Sequence, residues 1–363
     1  MTEFEKVISF QNLYQAFKDS NSGRGNKRSA AKFAVMVLEA ILLIIEELTN
    51  RTFYVSPYHT FHVYEPKERE IKTGAFKDKV IQHSLCDNVL IPRLCDVFIT
   101  DNCAGQPNKG TLFGLDRLSV HMKSYHKSYG INGYILKCDI TKFFYNISHQ
   151  QLIDIVEYYF SDDPNVCWLC KCFIDSTDGL GIPLGNQINQ VFALLYLDCL
   201  DKLITQELGI RFYGRYMDDF YLFHPNREYL EYCLQAIESL LETLGLTLNS
   251  KTQIMPFKNG VSYLGFHTYV TADGKIIRIL KNQNKRNACK KYTKMAKAVS
   301  KGTMKYEVLR DSFCSWANHV SYGNCVNLLM NMVQKINNIL DNQYDIGADI
   351  NIKKIIKRAR APS

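Results

Sequence analysis

The sequence predicts an α+β protein in which an antiparallel sheet is covered by helices. Short alternating or buried apolar runs recur between about residues 134 and 280, with Gly, Pro, Asn and Asp signals between them. Stretches with apolar residues three and four apart separate those runs, as amphipathic helices require. No internal repeat and no Pro- or Ser-rich linker divides the chain. At 363 residues and 46% hydrophobic, it is long enough for two or three subdomains with sizeable cores. The net charge of +8 suits an acidic partner such as nucleic acid, a property shared with many ordinary soluble proteins.

The first hundred residues read as mostly helical. A basic loop, "NSGRGNKRSAAK", offers Arg24, Lys27, Arg28 and Lys32 to phosphate or simply to water, and leads into one core-facing helix, "FAVMVLEAILLIIEEL", from Phe33. Its Glu39, Glu46 and Glu47 exclude a membrane span, and no other run of about 18 uncharged apolar residues occurs. The start, "MTEFEKVISF", is not a signal peptide, so a cytoplasmic protein with no membrane partner is expected. Twelve mostly scattered cysteines then read as reduced thiols; Cys167 and Cys170 have a zinc-like spacing but no second pair follows, which favours thiols buried on a helix.

Next, "YHTFHVYEPKEREIKTGAFKDKVIQHSL" reads as a strand, a turn at Pro66, a second strand and a helix from about Asp78, with Lys67 and Arg69 on the basic turn. "AGQPNKGTLFGLDRL" is a Gly-rich loop entering a helix, with Lys109 as a further cation. "YILKCDITKFFYNIS" is a buried strand ending at Asp139 and followed by a helical turn. "GIPLGNQINQVFALLYLDCLDKLI" is a tight turn opening a long helix, and "GRYMDDFYLF" is a hairpin. Then come an amphipathic helix, "EYLEYCLQAIESLLETLGL", and a hairpin turning at Asp273-Gly274. From Lys275 to Lys305 eleven Lys or Arg occur without an acid, and helical spacing aligns Lys290, Lys294, Lys297 and Lys301. "CVNLLMNMVQKINNIL" is a last helical segment, ahead of a basic tail carrying Lys353, Lys354, Lys357, Arg358 and Arg360.

Asp218 and Asp219 sit side by side between apolar runs. Alone they read first as the turn of a solvent-exposed hairpin, because burying unpaired like charges costs several kcal/mol. Asp139 changes the reading: if its strand neighbours the hairpin, three carboxylates share one sheet edge and repel unless cations hold them. Hard oxygen ligands in that arrangement suit Mg2+ and two-metal phosphoryl or nucleotidyl transfer.

Together, "LKCDITKFF", "GIPLGNQINQ", "RYMDDF", "LGLTLNSKT" and "YLGF" resemble, in order and spacing, the palm motifs of reverse transcriptases. "YEPKEREI" and "CAGQPNKGT" look like the fingers of bacterial retroelement enzymes, and the resemblance spans roughly residues 20 to 335. It implies a right-hand polymerase fold: an N-terminal helical extension (1–60), fingers (61–133), palm with fingers-proximal insertions (134–275), helical thumb (276–340) and basic C-terminal tail (341–363). It implies RNA-directed DNA synthesis with two Mg2+, or Mn2+ in their place. Asp139 and Asp218 would be the bridging metal ligands, Asp219 the auxiliary acid and the Ile140 carbonyl a further ligand. Phe144 would exclude a ribose 2′-hydroxyl, or else pack in the core. Lys67 and Arg69 would neutralise the dNTP triphosphate beside Leu184 and Gly185, and Lys251 would protonate the leaving pyrophosphate. Tyr216, Met217, Tyr263, Leu264 and Gly265 would contact primer and template, with Lys290, Lys294 and Lys297 following the duplex.

One departure concerns the stretch Leu184 to Gln190. Many relatives carry Gln-Gly there; an apolar residue before the glycine resembles diversity-generating-retroelement and some defence-associated enzymes, although their Ser is Asn189 here. Loss of a polar contact at Leu184 predicts lowered fidelity. Neither this motif nor the thumb resembles a typical retron enzyme, and no endonuclease, maturase or ribonuclease H acid set is apparent. The expected system is therefore a stand-alone bacterial one, antiviral defence or diversification, copying a dedicated structured noncoding RNA. Expected partners are that RNA, an RNA–DNA hybrid and dNTPs, with an accessory protein or a second copy as further candidates. An untemplated or protein-primed nucleotidyl transferase is the alternative; intact Asp139, Asp218 and Asp219 argue against an inactive RNA-binding scaffold.

Overall fold

The structure, a computed structural model, describes residues 1–22, 28–64 and 68–360, without the side chains of 28 and 358–360. Arg24, Lys27 and Lys67 therefore lie outside the described residues, as do the side chains of Arg28, Arg358 and Arg360.

Helix α1 (Glu3–Ile8) starts in a capping box, in which Thr2 and Glu5 satisfy each other's backbone N–H. It leads to α2 (Phe10–Asn21), capped by Ser9, then α3 (Arg28–Val35) and α4 (Val37–Thr49). The single helix expected from Phe33 is thus two, broken at Met36 with φ −117° and ψ 32°. Its almost unbroken apolar sequence specifies no face: Ile41, Ile44 and Leu48 are buried while Leu38, Leu42 and Leu43 are exposed. Strands β1 (His59–Val63) and β2 (Arg69–Thr73) form the expected hairpin, paired from His59↔Thr73 to Val63↔Arg69. α5 (Phe76–Leu85) continues through a π-turn, Cys86–Leu90, into α6 (Ile91–Cys95), where Pro92 has no N–H for a regular helical bond.

After α7 (Thr111–Tyr129), β3 (Tyr134–Asp139) runs through the middle of a sheet of order β4-β5-β3-β6, with β4 (Phe212–Tyr216), β5 (Asp219–His224) and β6 (Gln253–Pro256), all antiparallel. Period-2 alternation sends Leu136, Cys138, Phe220 and Leu222 into one core and Ile135, Tyr221 and Phe223 into another. The first core is covered by α8 (His149–Phe160), α9 (Pro164–Ile174), α10 (Gln187–Tyr196), α11 (Asp198–Lys202) and α12 (Arg227–Thr243), and it also takes up the N-terminal helices. Phe4 N–H donates to Asp163, the cap of α9, so the N-terminal helices are bound to the sheet's helical layer. Cys170 on α9 is buried and Cys167 partly so. The long helix expected after Gly185 is interrupted at Leu197, beyond which Asp201 faces the sheet.

The segment expected as one hairpin is a three-stranded meander, β7 (Val261–Tyr263), β8 (Phe266–Val270) and β9 (Ile276–Leu280). Its extra turn is Leu264-Gly265, with φ 47° and 90°. Leucine in that left-handed region is uncommon, so the turn carries a weak sequence signal. A third core joins α13 (Asn282–Ser300), α14 (Tyr306–Val320) and α15 (Val326–Ile339). The expected tail joins it too: α16 (Ile346–Asp349) and α17 (Ile352–Arg360) bury Ile346, Ile350 and Ile355 there while Lys353, Lys354 and Lys357 stay exposed. Among the described residues no helix is long and apolar enough to cross a membrane.

Candidate active site

The β3–β5 register places Asp139 directly opposite Asp219, and Tyr216↔Asp219 closes the β4–β5 hairpin, leaving Met217 and Asp218 at its tip. Two bonds fix that tip to the end of β3. Ile140 N–H donates to the Asp218 carbonyl at 3.1 Å, and Asn249 N–H donates to the Asp139 carbonyl at 2.7 Å. The second bond gives "LGLTLNSKT" a structural role, clasping the strand end. Burial, then the neighbouring Asp139 charge, push the Asp218 carboxyl above its ordinary range, and Arg69 acts in the opposite direction from β2.

Asp219 turns to a different partner. It forms an ion pair with Lys137, which lies two residues before Asp139 and so on the same face of β3. Lys137 also donates to the carbonyls of Cys138 and Phe220 at 3.1 and 3.3 Å, and lies 5.3 Å from the centre of the buried Tyr263 ring. Burial lowers this lysine from its ordinary range to about 7. Of the two adjacent acids, Asp219 thus has a basic partner within the protein.

Met217 has φ 55°, a conformation uncommon for a side chain without a local hydrogen-bonding group. Arg215, fully buried, donates from Nη1 to its carbonyl at 3.1 Å. The same guanidinium grips Asp201, itself fully buried, by Nε to Oδ1 at 2.7 Å and Nη2 to Oδ2 at 2.5 Å, while Tyr213 Oη donates to Oδ1 at 2.6 Å. Burial works against the Arg215 charge, but the Asp201 carboxylate outweighs it and holds the guanidinium protonated. Sequence reasoning missed Lys137, Arg215, Asp201 and Tyr213. Period 2 puts Lys137 beside the acids, and a charge inside the apolar run "GRYMDDFYLF" flags Arg215; Asp201, on a helix, carries no such signal.

The β1–β2 hairpin reaches the same region. Lys72 N–H donates to the Leu184 carbonyl at 3.0 Å, and a Cβ at Gly185, φ 112°, would stand 2.8 Å from the Ile71 side chain. Close backbone approach therefore requires glycine there. Phe144 is half-buried, edge-on to Phe143 with ring centres 5.4 Å apart, and its carbonyl accepts from Ile182 N–H. The Leu264-Gly265 turn meets α13, where Lys281 N–H and Asn284 Nδ2 donate to the Gly265 carbonyl at 3.2 and 3.3 Å. Lys251 is exposed after the clasp. Lys290, Lys294, Lys297 and Lys301 share a groove of about 590 Å3 with Lys335, apart from the carboxylates.

Among the described residues no three His, Cys, Asp or Glu side chains form a ready-made metal cage. Mg2+ rarely needs one, since one or two carboxylates, water and substrate phosphates complete its shell. Asp139 and Asp218 provide two hard carboxylates in electrostatic contact, and no described hydrogen bond ends on the Ile140 carbonyl. This donor set fits an open divalent-cation site.

Residues 80–268, just over half of the chain, match the family model described as reverse transcriptase (RNA-dependent DNA polymerase). Telomerase from Candida albicans, in complex with a TWJ fragment of telomeric RNA, is similar in fold with a TM-score of 0.50 and 13% identity, over 84% of this chain and 55% of that one. Apo telomerase from Candida tropicalis has a TM-score of 0.51 and 12% identity, over 85% and 66%. The chain thus spans between 55% and 66% of the length of these two structures. No curated protein sequence matches it significantly.

Proposed function

The chain belongs to the reverse transcriptase (RNA-dependent DNA polymerase) family, and on that premise we propose that it extends a DNA primer on an RNA template at the tip of its four-stranded sheet. The observation that carries this reading is the pairing of Asp139 with the hairpin that presents Asp218. Divalent cations, Mg2+ or Mn2+, would be held by those hard oxygens and would supply the Lewis acidity that activates a primer 3′-hydroxyl. Asp139, Asp218 and the Ile140 carbonyl would hold the cations; Asp219, beside Lys137, would act from one step away as the auxiliary acid. The primer 3′-oxygen gives its proton to solvent and attacks the dNTP α-phosphorus in line, and the bond to pyrophosphate breaks. Arg69 and Lys67 bear on the triphosphate, and Lys251 gives a proton to the leaving group.

Phe144 stands against the sugar and Leu184-Gly185 against the new base pair. Tyr216, Met217 and the turn Tyr263-Leu264-Gly265 hold primer and template, and Lys290, Lys294 and Lys297 follow the phosphates of the hybrid. The regions 1–60, 61–133, 134–275, 276–340 and 341–363 act as extension, fingers, palm, thumb and terminal segment. Leu184 ahead of Gly185 supports placing the enzyme in a stand-alone bacterial system, defence or diversification, with a dedicated structured RNA as template and an accessory protein or second copy as partner.

The test is to sequence the nucleic acids that co-purify with wild type and with Asp218→Ala after incubation with Mg2+ and all four dNTPs. DNA complementary to one bound RNA, made only by wild type, is the expected result. Repetitive DNA unrelated to any bound RNA would overturn templated copying and leave untemplated synthesis.

A further inference from the structure

One face of the N-terminal helices is apolar and open to water. On α4, Ile41, Ile44 and Leu48 take up the buried side. The opposite side carries Leu38, Leu42 and Glu46 in one row, four residues apart, beside a second row of Glu39 and Leu43. Leu38 and Leu42 are 61% and 60% exposed, and Val35, the last residue of α3, is 86% exposed. The apolar surface continues onto α2. There Phe10 and Tyr14, both exposed, stack with ring centres 6.2 Å apart; Tyr14 meets Phe17 at 6.0 Å, and Phe17 stacks on Phe33 of α3 at 5.6 Å. Monomeric proteins rarely leave contiguous apolar patches larger than a few hundred Å2 in water, so a surface of this kind marks a place where something docks.

The charges on the patch narrow what docks. Glu39 and Glu46 are exposed among the leucines of α4, while Lys18 and Lys32 are exposed on α2 and α3. Unlike Glu47, which pairs with Lys77 at 2.8 Å, none of these four has an ion-pair partner among the described residues. Acids between the leucines repel phosphate, which disfavours nucleic acid. They disfavour a lipid surface too, since helices that lie in one carry Lys or Arg on the polar face. What fits α4 is a protein surface that combines apolar and cationic groups. The chain has that combination beside α4, in Phe10, Tyr14, Lys18 and Lys32, so the two halves of the patch complement each other. A two-fold axis brings such halves together twice, because residue i of each copy then meets residue j of the other.

We propose that this face is where a second copy of the chain docks. The leucines of α4 in each protomer cover the aromatic α2–α3 end of the other, and Glu39 and Glu46 meet Lys18 and Lys32 across the two-fold axis. The assignment rests on the reading that a second copy is a partner of the enzyme, and gives that partner its surface.

The test is the mass of the full chain, freed of nucleic acid, by sedimentation equilibrium from about 0.1 to 100 μM, a range that reaches weak interfaces of standard size. Wild type should approach twice the mass of one chain, and Leu42→Glu should weaken that association at least about tenfold. Lys18→Glu with Lys32→Glu makes the patch wholly acidic, and Glu39→Lys with Glu46→Lys makes it wholly basic. Each of these variants alone should stay monomeric, and an equimolar mixture should form the dimer, because each offers the charge that the other lacks. Recovery in the mixture also shows that both variants fold. Wild type that stays monomeric over the whole range overturns both this surface and the second copy as partner. A dimer that survives Leu42→Glu and both charge reversals keeps the second copy and overturns this surface. The readout is mass and not synthesis, so either failure leaves the reading of the chemistry untouched.

Discussion

The tip of the four-stranded sheet and the lysine row at α13 are both dense in charge, and they handle it in opposite ways. At the tip Asp218 is buried beside Asp139, Asp219 is paired with Lys137, and Arg215 is sealed against Asp201 with no exposed surface. Asp219 and Arg215 each have a named partner in the protein. Along α13 and at its C-cap, Lys290, Lys294, Lys297 and Lys301 line one groove, with no acid between residues 275 and 305. Fixed charges in a poorly solvated setting act on a particular atom, whereas a screened row of ammonium groups attracts any polyanion. Position should therefore matter at the tip, and only total charge along the row.

The largest effect expected is at the tip. Asp218→Ala removes a proposed metal ligand and should lower DNA synthesis by more than about 1,000-fold in single-turnover assays. Residual synthesis within about tenfold of wild type would break the assignment. Arg215→Met comes next, because it strands the Asp201 carboxylate in the core: about 3–5 kcal/mol of stability should be lost in urea titration, and Asp201→Leu in the same chain should restore part of it. If Arg215→Met is as stable as wild type, the buried pair does not hold the hairpin. On α13, the triple change Lys290→Gln, Lys294→Gln, Lys297→Gln should reduce the slope of log affinity against log salt by about one per lysine that meets a phosphate, whichever three lysines are chosen. A single lysine that carried the whole effect would erase the contrast between the regions.

Smaller effects sharpen it. The Asp218 carboxyl titrates higher in the folded chain than unfolded, so between those two values the folded state binds the extra proton. In chelator, that group's contribution to stability falls as pH rises through this window and the full penalty stands at neutral pH. Asp218→Asn should then have a higher Tm than wild type at pH 7, by an amount that shrinks on acidification, while synthesis is lost. A lower Tm would show that the carboxylates do not repel. The smallest expected change is in fidelity: Leu184→Gln should alter misincorporation severalfold, and identical error spectra would remove Leu184 from the base-pair contact.

Much of the site was legible in the sequence because its elements are local. Alternation predicts the strand ending at Asp139, two apolar runs predict the hairpin around Asp218, and the acids converge once those strands are neighbours. The fate of Asp219 was not legible in the acids themselves, since its partner Lys137 is on another strand. The Leu264-Gly265 turn was missed because leucine seldom adopts φ 47°; only the packing of the meander against α13 makes it worthwhile.

By itself, then, the sequence determined the mixed α+β class, most helices and strands, and the identity of the carboxylates, because periodicity and turn chemistry act over a few residues. Only the tertiary structure decided that Asp201 reaches Arg215 across fourteen positions of chain and that the C-terminal basic segment folds onto the α13–α15 core. Those outcomes depend on which buried polar groups find each other when separate elements pack, and no local signal encodes a partner that is distant in the chain.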